Sequence, residues 1–431
     1  MFKISARQLI LFALVIVFFT SFRGARYIFS NRLQELGLLI TLMLFLYSAI
    51  LVALNDKRHD LAWSKWVFVT LGIISYFLFV PAFLWSSHTG ASMLPSSLAA
   101  REFLILLICP TLYFLYRLGI TSEELESSVY TALILIVVSY VVFRFTLPIE
   151  QWWTSTNPHV KSLVVWDPVR GYRLKMPSEA VFLTMIIGPI QIFRAKGAMQ
   201  SLVWILGFGC AVLAVILMQG RSLTASIIFG VVAYHVFFAR KPRLALLVIV
   251  IPGVIFAMAG IIDLFFKQLE AMYLQGKEIR FHSYSIAFET IGKYPLFGIG
   301  LNSKVTISEQ MVFGEKFDST DIGIVGVAFK YGLVGASSYV LIVLWLNVRC
   351  ITANWTYREL YGYSSALFIA LVIKVSMDFL NVLLSVAYTV IPGLVTASIM
   401  VAFSAIYNQQ LLEKRSQNYA LSSTNNKFSS S

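Results

Sequence analysis

The chain is poor in charge. Only 13% of its 431 residues are Asp, Glu, Lys or Arg, about half the share of ordinary soluble domains. That excludes a conventional water-soluble fold. Cysteine is also scarce: Cys109 and Cys210 lie in apolar runs and Cys350 at a helix end. Neither a disulfide framework nor a thiolate metal site follows from them. No cluster of acidic or His ligands points to a metal, so no metal and no cofactor is expected. Alternating segments of about ten residues, the mark of a membrane β-barrel, are missing. So is any internal repeat, which disfavours the repeat-built transporter folds. The first apolar run, after Lys3 and Arg7, has no small-residue cleavage pattern behind it: Ser21-Phe-Arg-Gly-Ala-Arg26 is bulky and basic. It reads as a retained anchor rather than a signal peptide.

What is abundant is apolar sequence, 58% of the chain. Runs of about 17–25 apolar residues span a bilayer as helices, because lipid leaves backbone groups no partner outside their own segment. The fold class is therefore all-α, a polytopic integral membrane protein. Twelve spans are expected, at about 8–22, 34–54, 66–85, 101–118, 128–147, 179–194, 199–218, 222–239, 244–264, 322–348, 362–382 and 384–406. Lys and Arg in the short loops set the orientation. With the N-terminus inside, about sixteen of them face the cytoplasm and about five the other side. Both termini are then cytoplasmic. The net charge of +13 reflects this asymmetry and attraction to anionic membrane lipid, not nucleic acid.

The predicted organisation is one helical domain, 1–406, with longer extracytoplasmic loops at about 148–178 and 265–321, and a polar, low-complexity tail, 407–431, expected to be disordered. The stretch Lys267–Gly335 stands out, since long ordered loops in compact proteins are usually functional. Near its middle, Phe281, Tyr284, Ile286, Ala287, Phe288 and Ile291 recur at helical spacing. This predicts a surface-lying helix with Arg280 at its head and His282 beside it. Pro295 ends it. Gly298 and Gly300 then permit close backbone approach to a ligand.

Arg221, at the outer end of the seventh span in Gln219-Gly-Arg-Ser222, reads either as an interfacial anchor or as a bidentate phosphate ligand. Asp318 and Asp321 precede the tenth span. Asp321 reads as a helix cap or as a general base, and one residue can be both. Lys330 can snorkel outward or join an anion site. In the 148–178 loop, Trp152, Trp153, Trp166 and Tyr172 suit an interfacial belt or sugar stacking, and Arg170 or Arg173 can hold an anionic lipid or sugar. Lys374 and Asp378, four apart within a span, share a helix face and read as a structural ion pair, with a proton path as the transporter alternative.

Three elements together resemble the bacterial O-antigen and exopolysaccharide polymerase and O-antigen ligase superfamily. They are Gly220-Arg221-Ser222 before a large outer loop, Arg280 at a helix head followed by Pro295-Leu-Phe-Gly-Ile-Gly-Leu301, and a helix bearing Tyr331-Gly-Leu-Val-Gly335. The resemblance covers roughly 200–345. A looser likeness links Arg170-Gly-Tyr-Arg-Leu-Lys-Met-Pro-Ser-Glu179 to exopolysaccharide polymerases. The resemblance implies a bacterial inner-membrane enzyme using glycan on undecaprenyl pyrophosphate, with Arg221 and Arg280 on the pyrophosphate. It implies a flippase and a chain-length regulator as partners; beside the two arginines, His282, Tyr284, Lys293, Gly298, Gly300 and Lys330 are expected to contact the substrate. Ligases of the superfamily carry a His just before the helix that follows the loop. Here Asp318-Ser-Thr-Asp321 stands there, which favours the polymerase branch, with ligase as the alternative and a lipid-linked glycan flippase as the reading from another class.

Overall fold

The computed structural model describes residues 5–24, 32–55, 61–90, 92–157, 160–161, 163–167, 171–175, 177–218, 282–300, 317, 319–383 and 391–428. In chain order the elements are α1 (Ala6–Ser21), α2 (Arg32–Asn55), α3 (Leu61–Thr89), α4 (Met93–Ala99), a 3-10 segment (Ala100–Leu107), α5 (Ile108–Arg117), α6 (Ser122–Thr146) and α7 (Ile149–Trp153). A hairpin of β1 (Val164–Asp167) and β2 (Gly171–Leu174) follows, then α8 (Ser178–Arg194) and α9 (Ala198–Met218). After α10 (282–293) come a 3-10 turn (Ser319–Ile322), α11 (Gly323–Tyr361), α12 (Ala366–Leu383) and α13 (Ile391–Phe428).

The chain is thus an all-α polytopic membrane protein. Six described helical stretches are long and apolar enough to cross a bilayer: 35–54, 67–89, 93–117, 122–146, 198–217 and 323–361. Ten of the twelve expected spans fall on described helices. The eighth and ninth, about 222–239 and 244–264, lie outside the described residues.

Local sequence explains several boundaries. Ser5 and Gln8 form a capping box at the start of α1, and Thr121 and Glu124 form another at the start of α6. Arg7 pairs with Glu124, tying the two capped ends together where α1 packs on α6. The main core joins Leu14 and Phe18 of α1, Leu112 of α5, Leu133 and Ile136 of α6, Phe182 and Ile186 of α8, Phe368 of α12 and Phe403 of α13. Large apolar side chains elsewhere face outward, as on Phe68, Phe79 and Phe83 of α3, which suits a lipid-facing wall.

Two expectations change. The 148–178 loop contains an antiparallel hairpin that pairs Val165 with Arg173 and Trp166 with Tyr172. The tail expected to be disordered continues α13 without a break to Phe428. Gln409-Gln-Leu-Leu-Glu-Lys414 is a run of strong helix formers. Gln409 donates to Glu413 at 2.9 Å and Arg415 pairs with Glu359 of α11 at 3.0 Å, where the helix runs past the apolar part.

Candidate functional site

The segment 282–300 is fastened to α11 through main-chain atoms. α11 breaks at Gly332, where φ is 68° and ψ is −174°. In an unbroken helix the carbonyls of Phe329 and Lys330 would accept from Leu333 and Val334. Here they accept from Ile299 N at 3.0 Å and Gly300 N at 2.9 Å. The N–H groups of Leu333 and Val334 donate in turn to the carbonyls of Pro295 at 2.8 Å and Leu296 at 3.2 Å. Four of the backbone groups released by the break are satisfied by one partner segment. Non-helical backbone near a membrane is tolerated only under that condition.

Three glycines make this clasp possible. A Cβ on Gly332 would lie 2.1 Å from Leu296 O, and one on Gly298 would lie 2.5 Å from Gly332 N. One on Gly300 would lie 2.4 Å from Pro81 O and 2.6 Å from Trp85 N, both on α3. All three also have positive φ. The backbone that approaches Gly298 and Gly300 is the protein's own, from α11 and α3. Both are buried between α11 and α3.

Around the clasp lies a separate apolar cluster. It joins Trp85, Ala287, Ile299, Phe317, Ile322 and Phe329, with Tyr284, Ile286 and Ile291 packed against it. α10 is helical where its spacing predicts. Its buried stripe, however, is Ser283, Ala287 and Thr290, small residues that let the helix sit close to its neighbours, while Phe288 points outward. His88, at the end of α3, has Nδ1 3.3 Å from Ile299 O and its ring 4.1 Å from that of Tyr294. His88 carries no signal in the sequence, where it is a single His at the end of an apolar run with no motif around it.

The expected site residues fall as follows. Arg221, Arg280, Asp318 and Arg170 lie outside the described residues. Asp321 stands in the 3-10 turn before α11, and this turn is tightly seated: a Cβ on Gly326 would lie 1.9 Å from Ser319 O. The N-cap position of α11 falls on Ile322, with no side-chain capping bond. His282 is exposed at the start of α10. Tyr284 stacks on Phe288, ring centroids 6.2 Å apart. Lys293 is exposed and pairs with Glu289 at 2.7 Å. The Lys293 ammonium holds the Glu289 carboxyl below its usual range, and Glu289 raises Lys293 in return.

Lys330 is only 2% exposed, so it does not snorkel to the surface, and its main chain lies against Gly298 and Gly300. Arg173 is buried on β2 in the neighbourhood of Tyr140, whose hydroxyl donates to Leu174 O at 3.3 Å. The structure thus brings Tyr284, Gly298, Gly300, Lys330 and the Asp321 turn into one region, while Arg173 packs with the main core.

Deeper in the bundle, Lys374 donates to both Asp378 carboxylate oxygens at 2.5 Å and lies 5.7 Å from the Phe182 ring centroid. The intrahelical ion pair expected from their spacing is present.

These features define a polytopic α-helical membrane protein with a broken helix clasped by the segment 295–300. Residues 206–340 match the family model described as O-antigen ligase. The match runs from within α9 through the clasp into α11. It bears out the likeness to the O-antigen polymerase and ligase superfamily and indicates a membrane enzyme of the O-antigen ligase or polymerase type. No curated protein matches the chain.

Proposed function

We propose that the protein is a membrane glycosyltransferase that joins polyprenyl-pyrophosphate-linked oligosaccharide repeats into a polymer at the extracytoplasmic face of the bacterial inner membrane. The observation that carries this reading is the extent of the family match, 206–340. It takes in Arg221, Arg280, the clasp and the turn bearing Asp321. The clasp supports the reading physically, since the described part of α10, from residue 282, is close in sequence to Arg280 and is fastened to the bundle just past its C-terminal end. A preorganised cation needs such a scaffold.

In the proposed reaction a sugar hydroxyl of the acceptor attacks the anomeric carbon of the donor. The bond from that carbon to the pyrophosphate oxygen breaks, and the electron pair leaves on the pyrophosphate. Arg221 and Arg280 hold the developing charge, and Asp321 or Asp318 takes the hydroxyl proton. Neither a metal nor a covalent enzyme intermediate is required. The second reading, ligation of finished polymer to another acceptor, is favoured by the description of the matched family. The Asp318-Ser-Thr-Asp321 sequence, without His, favours polymerisation.

The test is the size profile of glycans from cells lacking the protein, with lipid-linked intermediates extracted in parallel. Collapse to single repeats, with single-repeat lipid accumulating on the outer leaflet, is expected. Long unattached lipid-linked polymer would make the protein a ligase. Single repeats trapped on the cytoplasmic leaflet would make it a flippase. Arg280→Ala should cut polymer synthesis by about 10²-fold or more at unchanged protein level, the scale of removing one transition-state charge donor. Full synthesis in that variant would sink the role of Arg280.

A further inference from the structure

Farther along α11 from the clasp, at Trp345 and Arg349, there is a recess with a largely apolar wall and a few polar groups. A cavity of about 210 Å³ is lined by Tyr113 of α5, Trp345 and Arg349 of α11, and Ser404, Asn408 and Leu412 of α13, among others. Its size decides what it can hold. It is smaller than the roughly 300–1,000 Å³ of sites that enclose a drug-sized ligand, yet it has room for a phosphate and a small polar group. We propose that this recess binds the headgroup of an anionic glycerophospholipid of the cytoplasmic leaflet.

Three observations carry the proposal. The first is charge. Arg349 makes no ion pair among the described residues. Its guanidinium lies 5.5 Å from the Trp345 ring centroid, so the planar fork is already oriented, and a fork of that kind suits a phosphate diester. The second is the wall around it. Ser404 is buried, and its hydroxyl has no hydrogen-bond partner among the described residues. The third is the apolar surface beside the opening. Leu344, Val348 and Leu412 are all more than half exposed, and Trp345 is 40% exposed, as expected of a wall along which acyl chains lie. Trp at such a position suits the bilayer interface.

The level in the membrane agrees. Arg349 directly follows the tenth expected span, Tyr113 lies four residues before Arg117 at the end of the fourth, and Asn408 follows the twelfth. The three elements run towards the face that the distribution of Lys and Arg assigns to the cytoplasm. The anionic lipids of that leaflet attract such cations at about 1 kcal/mol each. The site is distinct from the proposed polymerisation centre and does not depend on it.

The test uses the full chain in non-ionic detergent. Phosphatidylglycerol or phosphatidylcholine is titrated in, and binding is read by native mass spectrometry and by the thermal midpoint. Phosphatidylglycerol should be retained as a discrete adduct and should raise the midpoint, whereas phosphatidylcholine should do neither. Arg349→Ala should weaken phosphatidylglycerol binding about tenfold, the loss of one charge-assisted contact. Arg349→Gln makes the same comparison if the alanine variant fails to accumulate. Arg415→Ala, on the same face but paired with Glu359, should bind as the parent does. Equal binding of the two lipids, or parental binding by the Arg349 variants, would overturn the proposal. So would displacement of the adduct by millimolar inorganic phosphate, which would point to a free-anion site instead.

Discussion

The two ends of α11 are held by different means. At Gly332 the helix is joined to the 295–300 segment by four main-chain hydrogen bonds and by glycines with no room for a Cβ. At the far end the attachment is made by side chains. Tyr357 and Tyr361 pack on Tyr407 of α13 with centroids 4.9 and 6.3 Å apart. Tyr407 donates to the buried Glu126 carboxylate at 2.6 Å, and Tyr130 donates to its other oxygen at 3.3 Å. Asn354 accepts from the Ser365 backbone at 2.9 Å, and the Arg194 guanidinium lies 4.5 Å from the Tyr363 ring centroid. The side-chain end spreads its stabilisation over many contacts. The clasp concentrates it in backbone geometry that one residue type can adopt.

That contrast predicts a graded response. Gly332→Ala should have the largest effect. The conformation at this position is nearly exclusive to glycine, and the added carbon would meet Leu296 O at 2.1 Å. More than about 3 kcal/mol of destabilisation is expected, read as a fall in the thermal midpoint or as failure to accumulate in the membrane. A variant of parental stability would break the comparison.

Tyr407→Phe should be milder. It keeps the ring packing and removes one donor to a buried carboxylate, a loss of about 1.5–3 kcal/mol. Tyr361→Phe, farther from Glu126, should lose less, and a double-mutant cycle of Tyr407→Phe with Tyr130→Phe should show coupling, because both hydroxyls serve one carboxylate. Strict additivity would mean that the two hydroxyls do not act through one shared Glu126 carboxylate.

The smallest effect is expected at Glu289, whose pair with Lys293 is fully exposed on α10. Lys293 lowers the Glu289 carboxyl, so its contribution is present above the ordinary carboxylate range and is lost as pH falls through the lowered value. Glu289→Gln should therefore differ slightly from the parent at neutral pH and converge with it in acid. It should also lose its difference in high salt. A large, salt-insensitive shift would show that the pair anchors α10.

Much of this was legible in the sequence. Span length and hydropathy placed ten helices, and the four-residue spacing of Lys374 and Asp378 foretold their bond, because both follow from helix geometry within one segment. The break after α10 was legible from Pro295. The reason for glycine at 298 and 300 was not, because the atoms they avoid belong to Lys330, Gly332 and α3. Nor was the helical state of 407–428, which continues a helix begun in the apolar part and carries a run of strong helix formers at 409–414. His88 carries no signal of its own; only the folding of 294–300 against α3 gives it neighbours.

By itself, then, the sequence determined that the chain is a multi-helix membrane protein, how its cations are distributed along it, and which stretch resembles the O-antigen polymerase and ligase superfamily. Each of these depends on composition or on residues close along the chain. The tertiary structure decided what the motif glycines are for and how one helix can be broken near the membrane. Those outcomes rest on hydrogen bonds between backbone groups 30 to 38 residues apart, and no local pattern encodes the partner of a backbone N–H or C=O.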